Sequence, residues 1–276
     1  MKKKRSFMHS IAAAPHLVWA VMFIVLPLLI VAYFAFSVET ETGRSFSFEN
    51  IASLGSYAEI FGLSIELSAI ATFVCFLIGY PLAYIIAKSK PEHQKIYIML
   101  LMLPMWTNLL IRTYSIMAIF DDGGVLNNII AGTGIQLHIV GTKGAVIFGM
   151  VYDFLPYMVL PIYTCISKID PRMWEAAQDL GCTPIQVLTK VIFPLSLSGV
   201  ISGITMVFVP SISTFYISQK LGGGTFELIG DTIERQFVSG MLGTGAAISL
   251  VMMVLILISL SVMNKFGDSD NGGIIV

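Results

Sequence analysis

Charge is what this sequence has least of. Only 12% of its 276 residues are Asp, Glu, Lys or Arg, while 56% are hydrophobic; a soluble domain carries about 25% charged residues. The formal net charge is −1, and no basic stripe gathers the cations, so nucleic acid is excluded as a partner. Cysteine is scarce too. Cys75, Cys165 and Cys182 are scattered with no CxxC, which leaves no disulfide framework or metal cluster and fits small buried residues. The histidines, His9, His16, His93 and His138, are dispersed, with no HExxH and no Ser/His/Asp grouping to suggest an enzyme. There is no internal repeat of the kind a secondary transporter built from two related halves would show, and no filter-like segment of a channel.

Apolar length is what the chain has in abundance. Its mean hydropathy is +0.83, and a helix needs about 20 apolar residues to cross the hydrocarbon core. Six segments qualify, at roughly 16–38, 63–87, 96–119, 144–166, 191–217 and 244–263. The expectation is an all-α membrane protein with six transmembrane helices. The first segment follows the basic stretch MKKKRSFMHS within residues 1–15. It is too long for a signal-peptide core and lacks a small-residue cleavage site, so it is expected to stay attached. The fifth contains Pro210 and is expected to kink or divide there.

Charge distribution orients these spans. Lys2, Lys3, Lys4 and Arg5, then Lys88, Lys90 and Lys95, then Lys168, Arg172 and Lys190, then Lys265 in the tail 264–276 all fall on one side. The alternate loops are poorer in cations. They hold Arg44 among Glu39, Glu41, Glu49 and Glu59, Lys143 after Asp121 and Asp122, and Lys220 and Arg235 among Glu227, Asp231 and Glu234. The positive-inside rule places both termini in the cytoplasm.

One loop on that side, 168–190, stands apart. Its sequence from Pro171 to Pro194 is PRMWEAAQDLGCTPIQVLTKVIFP. Asp170 is a candidate N-cap, Pro171 suits the first helical position, and Gly181 suits the residue after the helix. Glu175 and Asp179 are expected in or near the first turns, and Pro184 allows a second helical start. The prediction is a short helix outside the bilayer, tied at both ends to spans.

The residues of this loop carry a resemblance. Glu175, Ala176 and Ala177, three residues, Gly181, nine residues and then Val191-Ile192-Phe193-Pro194 resemble the EAA loop of permease subunits of binding-protein-dependent ABC importers. Val191 and Phe193 depart from that family's Ile and Leu but stay apolar. The resemblance implies the type I (MetI-like) permease fold. It also implies a loop that docks on a separate ATPase subunit through Glu175, Ala176, Ala177, Asp179 and Gly181. No GxxxxGK[ST] is present, so ATP and Mg would be held by that partner and no cofactor by this chain. LPMWTNLLIRTYS from Leu103, VYDFLPYMVLPIYTCISKID from Val151, IGYPLAYIIAK in the second span and FYISQKLGGGTFELIGDTIERQF from Phe215 are similar to permeases of spermidine/putrescine importers, of the B or H type. The implied partners are a second homologous permease, two ATPases, an extracytoplasmic polyamine-binding protein and the bacterial inner membrane. Permeases for iron, thiamine, sulfate or phosphonates share much of the pattern and stand as alternatives. An ion-gradient-driven transporter ranks below them.

Ionisable residues inside spans mark functional candidates. Arg112 falls about 10 Å below the outer end of span three, and Asp153 about 13 Å below the same side on span four, at 1.5 Å rise per residue. Two readings stay open: the two pair across the hairpin, or Asp153 accepts a substrate ammonium while Arg112 points elsewhere. Glu66, near the outer end of span two, is either interfacial or a vestibule carboxylate. Aromatic rings attract ammonium groups. Trp106, Tyr152 and Tyr157, close to these charges, are the leading candidates for the pathway, within a wider group that includes Tyr114, Phe154, Phe208, Phe215 and Tyr216.

Overall fold

A computed structural model describes residues 15–40, 43–130 and 136–268. The basic residues Lys2, Lys3, Lys4 and Arg5 and the tail beyond 268 lie outside the described residues. In chain order, α1 is Pro15–Ala35, with one π-helical turn at Val21–Val25. A hairpin follows, β1 Ser37–Thr40 and β2 Gly43–Phe46. Two short turns over Glu49–Tyr57 then lead into α2, Ala58–Lys88. Next come α3 Pro91–Trp106, α4 Leu109–Phe120, α5 Val125–Ile130 and α6 Lys143–Ile166. The remaining helices are α7 Pro171–Asp179, α8 Pro184–Leu195, α9 Leu197–Ser213, α10 Tyr216–Leu221, α11 Ile229–Val238 and α12 Leu242–Asp268.

The hairpin amends the all-α expectation. Its strands pair antiparallel with Glu39 opposite Arg44 and Thr40 opposite Gly43. Gly43 takes φ +126°, a conformation open to glycine and strained for other residues. Hydrophobicity summed over a window marks lipid-spanning length, and a four-residue strand falls below its reach.

Four helical stretches are long and apolar enough to cross a bilayer as they stand: Pro15–Ala35, Glu49–Lys88, Lys143–Ile166 and Leu242–Met263. The third and fifth apolar segments are bent pairs. α3 meets the helical stretch Leu109–Ile130 at 89°, and α8 meets α9 at 73°. Counting each bent pair as one span gives six. The first bend forms where the 3₁₀ turn Leu103–Trp106 ends in extended backbone at Thr107 and Asn108. The Asn108 side chain then caps α4 by accepting from the Leu110 N–H at 2.8 Å. The second bend falls at Ser196 and not at Pro210. The Ser196 N–H donates to the Ile192 and Phe193 carbonyls, closing α8, and its hydroxyl meets Tyr80 Oη at 3.0 Å. Pro210 sits within the last turn of α9, where the Ser213 hydroxyl donates to the Val209 carbonyl at 3.1 Å.

The chain divides into two compact units. The first comprises Met1–Ala58 and Thr232–Leu255. There Ala35, Ala246 and Ala247 are buried together, and Asn50 Nδ2 donates to the Ser37 carbonyl at 3.0 Å. The second comprises Glu59–Asp231 and Ile256–Val276. Its core is organised around α6, which packs on α9 through glycines. A Cβ added at Gly203 would sit 2.8 Å from Met158 Sδ, and one at Gly199 would sit 2.7 Å from Cys165 Cβ. Gly199 and Gly203 are four residues apart on the face of α9 that also buries Val200 and Val207. Small residues at this spacing let membrane helices approach backbone to backbone. On another face of α6, Gly149 admits Ile217 and Leu221 of α10.

Candidate functional site

The residues singled out in the sequence fall chiefly into two groups, one on α7 and one along α4 and α6.

The α7 element is specified locally. The Asp170 side chain accepts from the Arg172 N–H at 3.0 Å, and Pro171 stands at the first helical position. At the other end Gly181 takes φ +83°. The Cys182 N–H reaches the Ala177 carbonyl at 3.1 Å, and the Gly181 N–H reaches that of Gln178 at 2.9 Å. This pair of bonds is the Schellman closure that a glycine after a helix permits. Thr183 and Gln186 then form a reciprocal capping box that starts α8 at Pro184. From there α8 runs through Pro194 to Leu195, so the second helix of the loop is continuous with the apolar segment.

Burial sorts the loop residues. Ala177 is buried, and Trp174 and Cys182 pack with it against the core. Glu175, Ala176 and Asp179 are exposed. Ala177 and Gly181 therefore shape and seat the element, while Glu175, Ala176 and Asp179 face outward. Asp179 is the last residue of α7 and no acidic residue lies in its first turn. The expected help from the helix dipole is absent, since an acid at the C-terminal end opposes it. Sequence reading missed three outward residues: Met173, Leu180 at 85% exposure and Ile185 at 73%. Their signal was available, as apolar side chains within the most polar loop of the chain. Met173, Leu180 and Ile185 thus stand as exposed apolar side chains among the charged Arg172, Glu175 and Asp179.

Along the apolar helices the structure brings Arg112 and Asp153 together. Arg112 Nη1 lies 3.0 Å from Asp153 Oδ1, with Asp153 only 2% exposed. The distance is that of an ion pair, but the groups are not aligned as hydrogen-bond partners, and both Asp153 oxygens keep unspent acceptor capacity among the described residues. The bend after Trp106 removes the straight-helix depth argument, because Arg112 stands in the first turn of α4. The pairing arises from the packing of α4 against α6.

The remaining candidates are not gathered with this pair. Trp106 is 71% exposed at the end of α3. Tyr152 and Tyr157 are exposed on α6, and among the described residues only the second makes a ring contact, with Phe154 at 6.2 Å between centroids. Glu66 is exposed on α2 with no ion-pair partner among the described residues. No group of His, Cys, Asp and Glu among the described residues is placed to hold a metal.

Comparison with known proteins supplies the context. Two curated relatives are named spermidine/putrescine transport system permease protein PotB. The one from Haemophilus influenzae is 38% identical over 248 residues, covering 86% of each chain. The one from Escherichia coli is 35% identical over 229 residues, covering 80% of this chain and 83% of the relative. Among solved structures, a bacterial ABC transporter involved in the import of the acidic polysaccharide alginate matches with a TM-score of 0.80 at 17% identity, over 96% of each chain. The MetNI methionine ABC transporter in an inward-facing conformation matches with a TM-score of 0.53 at 17% identity, over 76% of this chain and 92% of that one. At such identities these two establish the fold alone, that of a helical ABC permease. The family model for the inner membrane component of binding-protein-dependent transport systems matches residues 79–268, and with this match the chain belongs to that family of multi-pass inner membrane proteins.

Proposed function

We propose that this chain is the polyamine-translocating permease subunit of an ABC importer, carrying spermidine or putrescine into the cytoplasm. The observation that carries the reading is the similarity to two PotB proteins over at least four fifths of both chains. In this reading each bent pair crosses the membrane once. The spans at about 16–38, 63–87, 96–119, 144–166, 191–217 and 244–263 form one domain, and both termini and the 168–190 loop face the cytoplasm, as the lysine and arginine bias supports.

The chain works with a second homologous permease, two ATPases that hold ATP and Mg, and an extracytoplasmic binding protein. It is itself non-catalytic. Glu175, Ala176 and Asp179 contact the ATPase together with Leu180 and Ile185, while Ala177 and Gly181 keep α7 in shape. The outward direction of these side chains supports that assignment. Asp153, Arg112, Trp106, Tyr152, Tyr157 and Glu66 belong to the pathway. The exposed rings and Glu66 are open to a passing ammonium, whereas Asp153 would have to exchange the Arg112 guanidinium for it.

The test is uptake of labelled spermidine and putrescine in cells carrying the chain or Glu175→Lys. The variant is expected to reach normal membrane levels and to lose uptake to background. Full uptake by a normally expressed Glu175→Lys protein would remove the coupling assignment. Unchanged polyamine uptake in cells lacking the chain would remove the substrate.

A further inference from the structure

A lysine sits in an aromatic cage beside α6. Ile217 and Leu221 of α10 are buried against Gly149, which leaves Lys220 at the edge of that short helix. Lys220 Nζ lies 5.1 Å from the ring centre of Tyr114 and 5.8 Å from that of Tyr216. The two rings meet edge to face, with centroids 6.0 Å apart and planes at 77°. Both distances fall within the reach of a cation–π contact. Among the described residues no carboxylate forms an ion pair with Lys220, so the ammonium is held by the two tyrosines, through their rings and the Tyr114 hydroxyl, and not by a fixed negative charge. Tyr114 is exposed and Tyr216 and Lys220 are partly so, which leaves the cage accessible.

The chemistry of the occupant matters. A lysine side chain is an ammonium on four methylenes, which is the aminobutyl arm of putrescine and spermidine. A cage that accepts the one accepts the other, and two like charges do not share it. Contacts of this kind are weak when exposed, so the tethered group can leave. We propose that Tyr114 and Tyr216 form a binding site for a primary alkylammonium group, and that Lys220 is its tethered occupant, displaced by the end of a polyamine. The natural ligand rests on the polyamine reading above; the alkylammonium chemistry does not.

The complete transporter, without binding protein, in lipid nanodiscs is the material for the test. Equilibrium binding of labelled putrescine and of labelled n-butylammonium is measured for the wild type, Lys220→Met, Lys220→Arg, and Lys220→Met combined with Tyr114→Leu and Tyr216→Leu. Lys220→Met is expected to bind both ligands about threefold to tenfold more tightly, the size of one or two exposed cation–π contacts. Lys220→Arg is expected to behave as the wild type, and the triple variant to lose the gain. Lys220→Gln serves as the second variant, judged the same way, if Lys220→Met does not assemble. No gain for either ligand, or a gain that survives loss of both tyrosines, overturns the cage whatever the cells take up. A gain for n-butylammonium in a protein that does not support polyamine uptake upholds the cage and overturns its polyamine occupant.

Discussion

α6 and α7 are joined by four residues and are specified in opposite ways. α6 owes its place to distant parts of the chain: the Arg112 guanidinium from α4, the glycine face of α9 and the apolar face of α10. α7 owes its shape to residues within its own short segment, with Asp170 and Pro171 at one end and Gly181 at the other. Buried apolar helices are held by tertiary contact, whereas a polar element outside the membrane can be set by its caps. Ala177, with Trp174 and Cys182 beside it, seats α7 on the core, but the start and the end of the helix are fixed by its own neighbours in sequence.

The largest effect should come from opening the buried ion pair. Asp153→Asn leaves Arg112 without a counter-charge, at a cost of about 3–5 kcal/mol, and is expected to reduce the yield of assembled transporter severely. Exchanging the two residues, Arg112→Asp with Asp153→Arg, should recover part of that loss. Assembly measured by size-exclusion chromatography checks both, and failure of the exchange to recover anything would mean that the pair does not hold the helices. A smaller loss is expected from filling the glycine seam. Gly203→Leu drives side-chain atoms into Met158 and should cost about 1–3 kcal/mol. Gly55, where an added Cβ meets nothing within 4 Å, tolerates alanine in the same thermal-unfolding measurement. The smallest effect belongs to α7. Asp170→Ala removes a cap worth about 1 kcal/mol and should speed amide exchange across 171–181 while leaving the melting temperature of the transporter unchanged. A fall in melting temperature comparable to that of Gly203→Leu would break the contrast between the two helices.

The same contrast explains what could be read in advance. The helix at 171–179 and its closure by Gly181 follow from caps, which are local chemistry and therefore visible in the sequence. Lengths of apolar sequence mark where helices run, but they do not show where a helix turns. The 89° bend depends on Thr107 and Asn108 adopting extended backbone, and the 73° bend on Ser196 closing α8 against the hydroxyl of Tyr80, a residue far away in the chain. Pro210, the obvious breaker, lies where its helix is about to end. The spacing of Gly199 and Gly203 passed unread in the sequence, and their partner on α6 has no local signal there. Arg112 and Asp153 were legible as candidates, and sequence left open whether they met. Which face each aromatic presents, and hence the meeting of Tyr114 with Tyr216, depends on helix rotation that no local pattern fixes.

The ion pair also bears on how the protein is made. Arg112 leaves the ribosome well before Asp153, and an arginine that enters hydrocarbon without a counter-charge is costly to insert. α4 therefore gains from waiting at the membrane surface or inside the insertion machinery until α6 arrives, and from entering lipid with it as a neutral hairpin. The right-angle break before α4 suits that delay. A contact that fastens two helices in the finished molecule would then also set the order in which they enter the membrane.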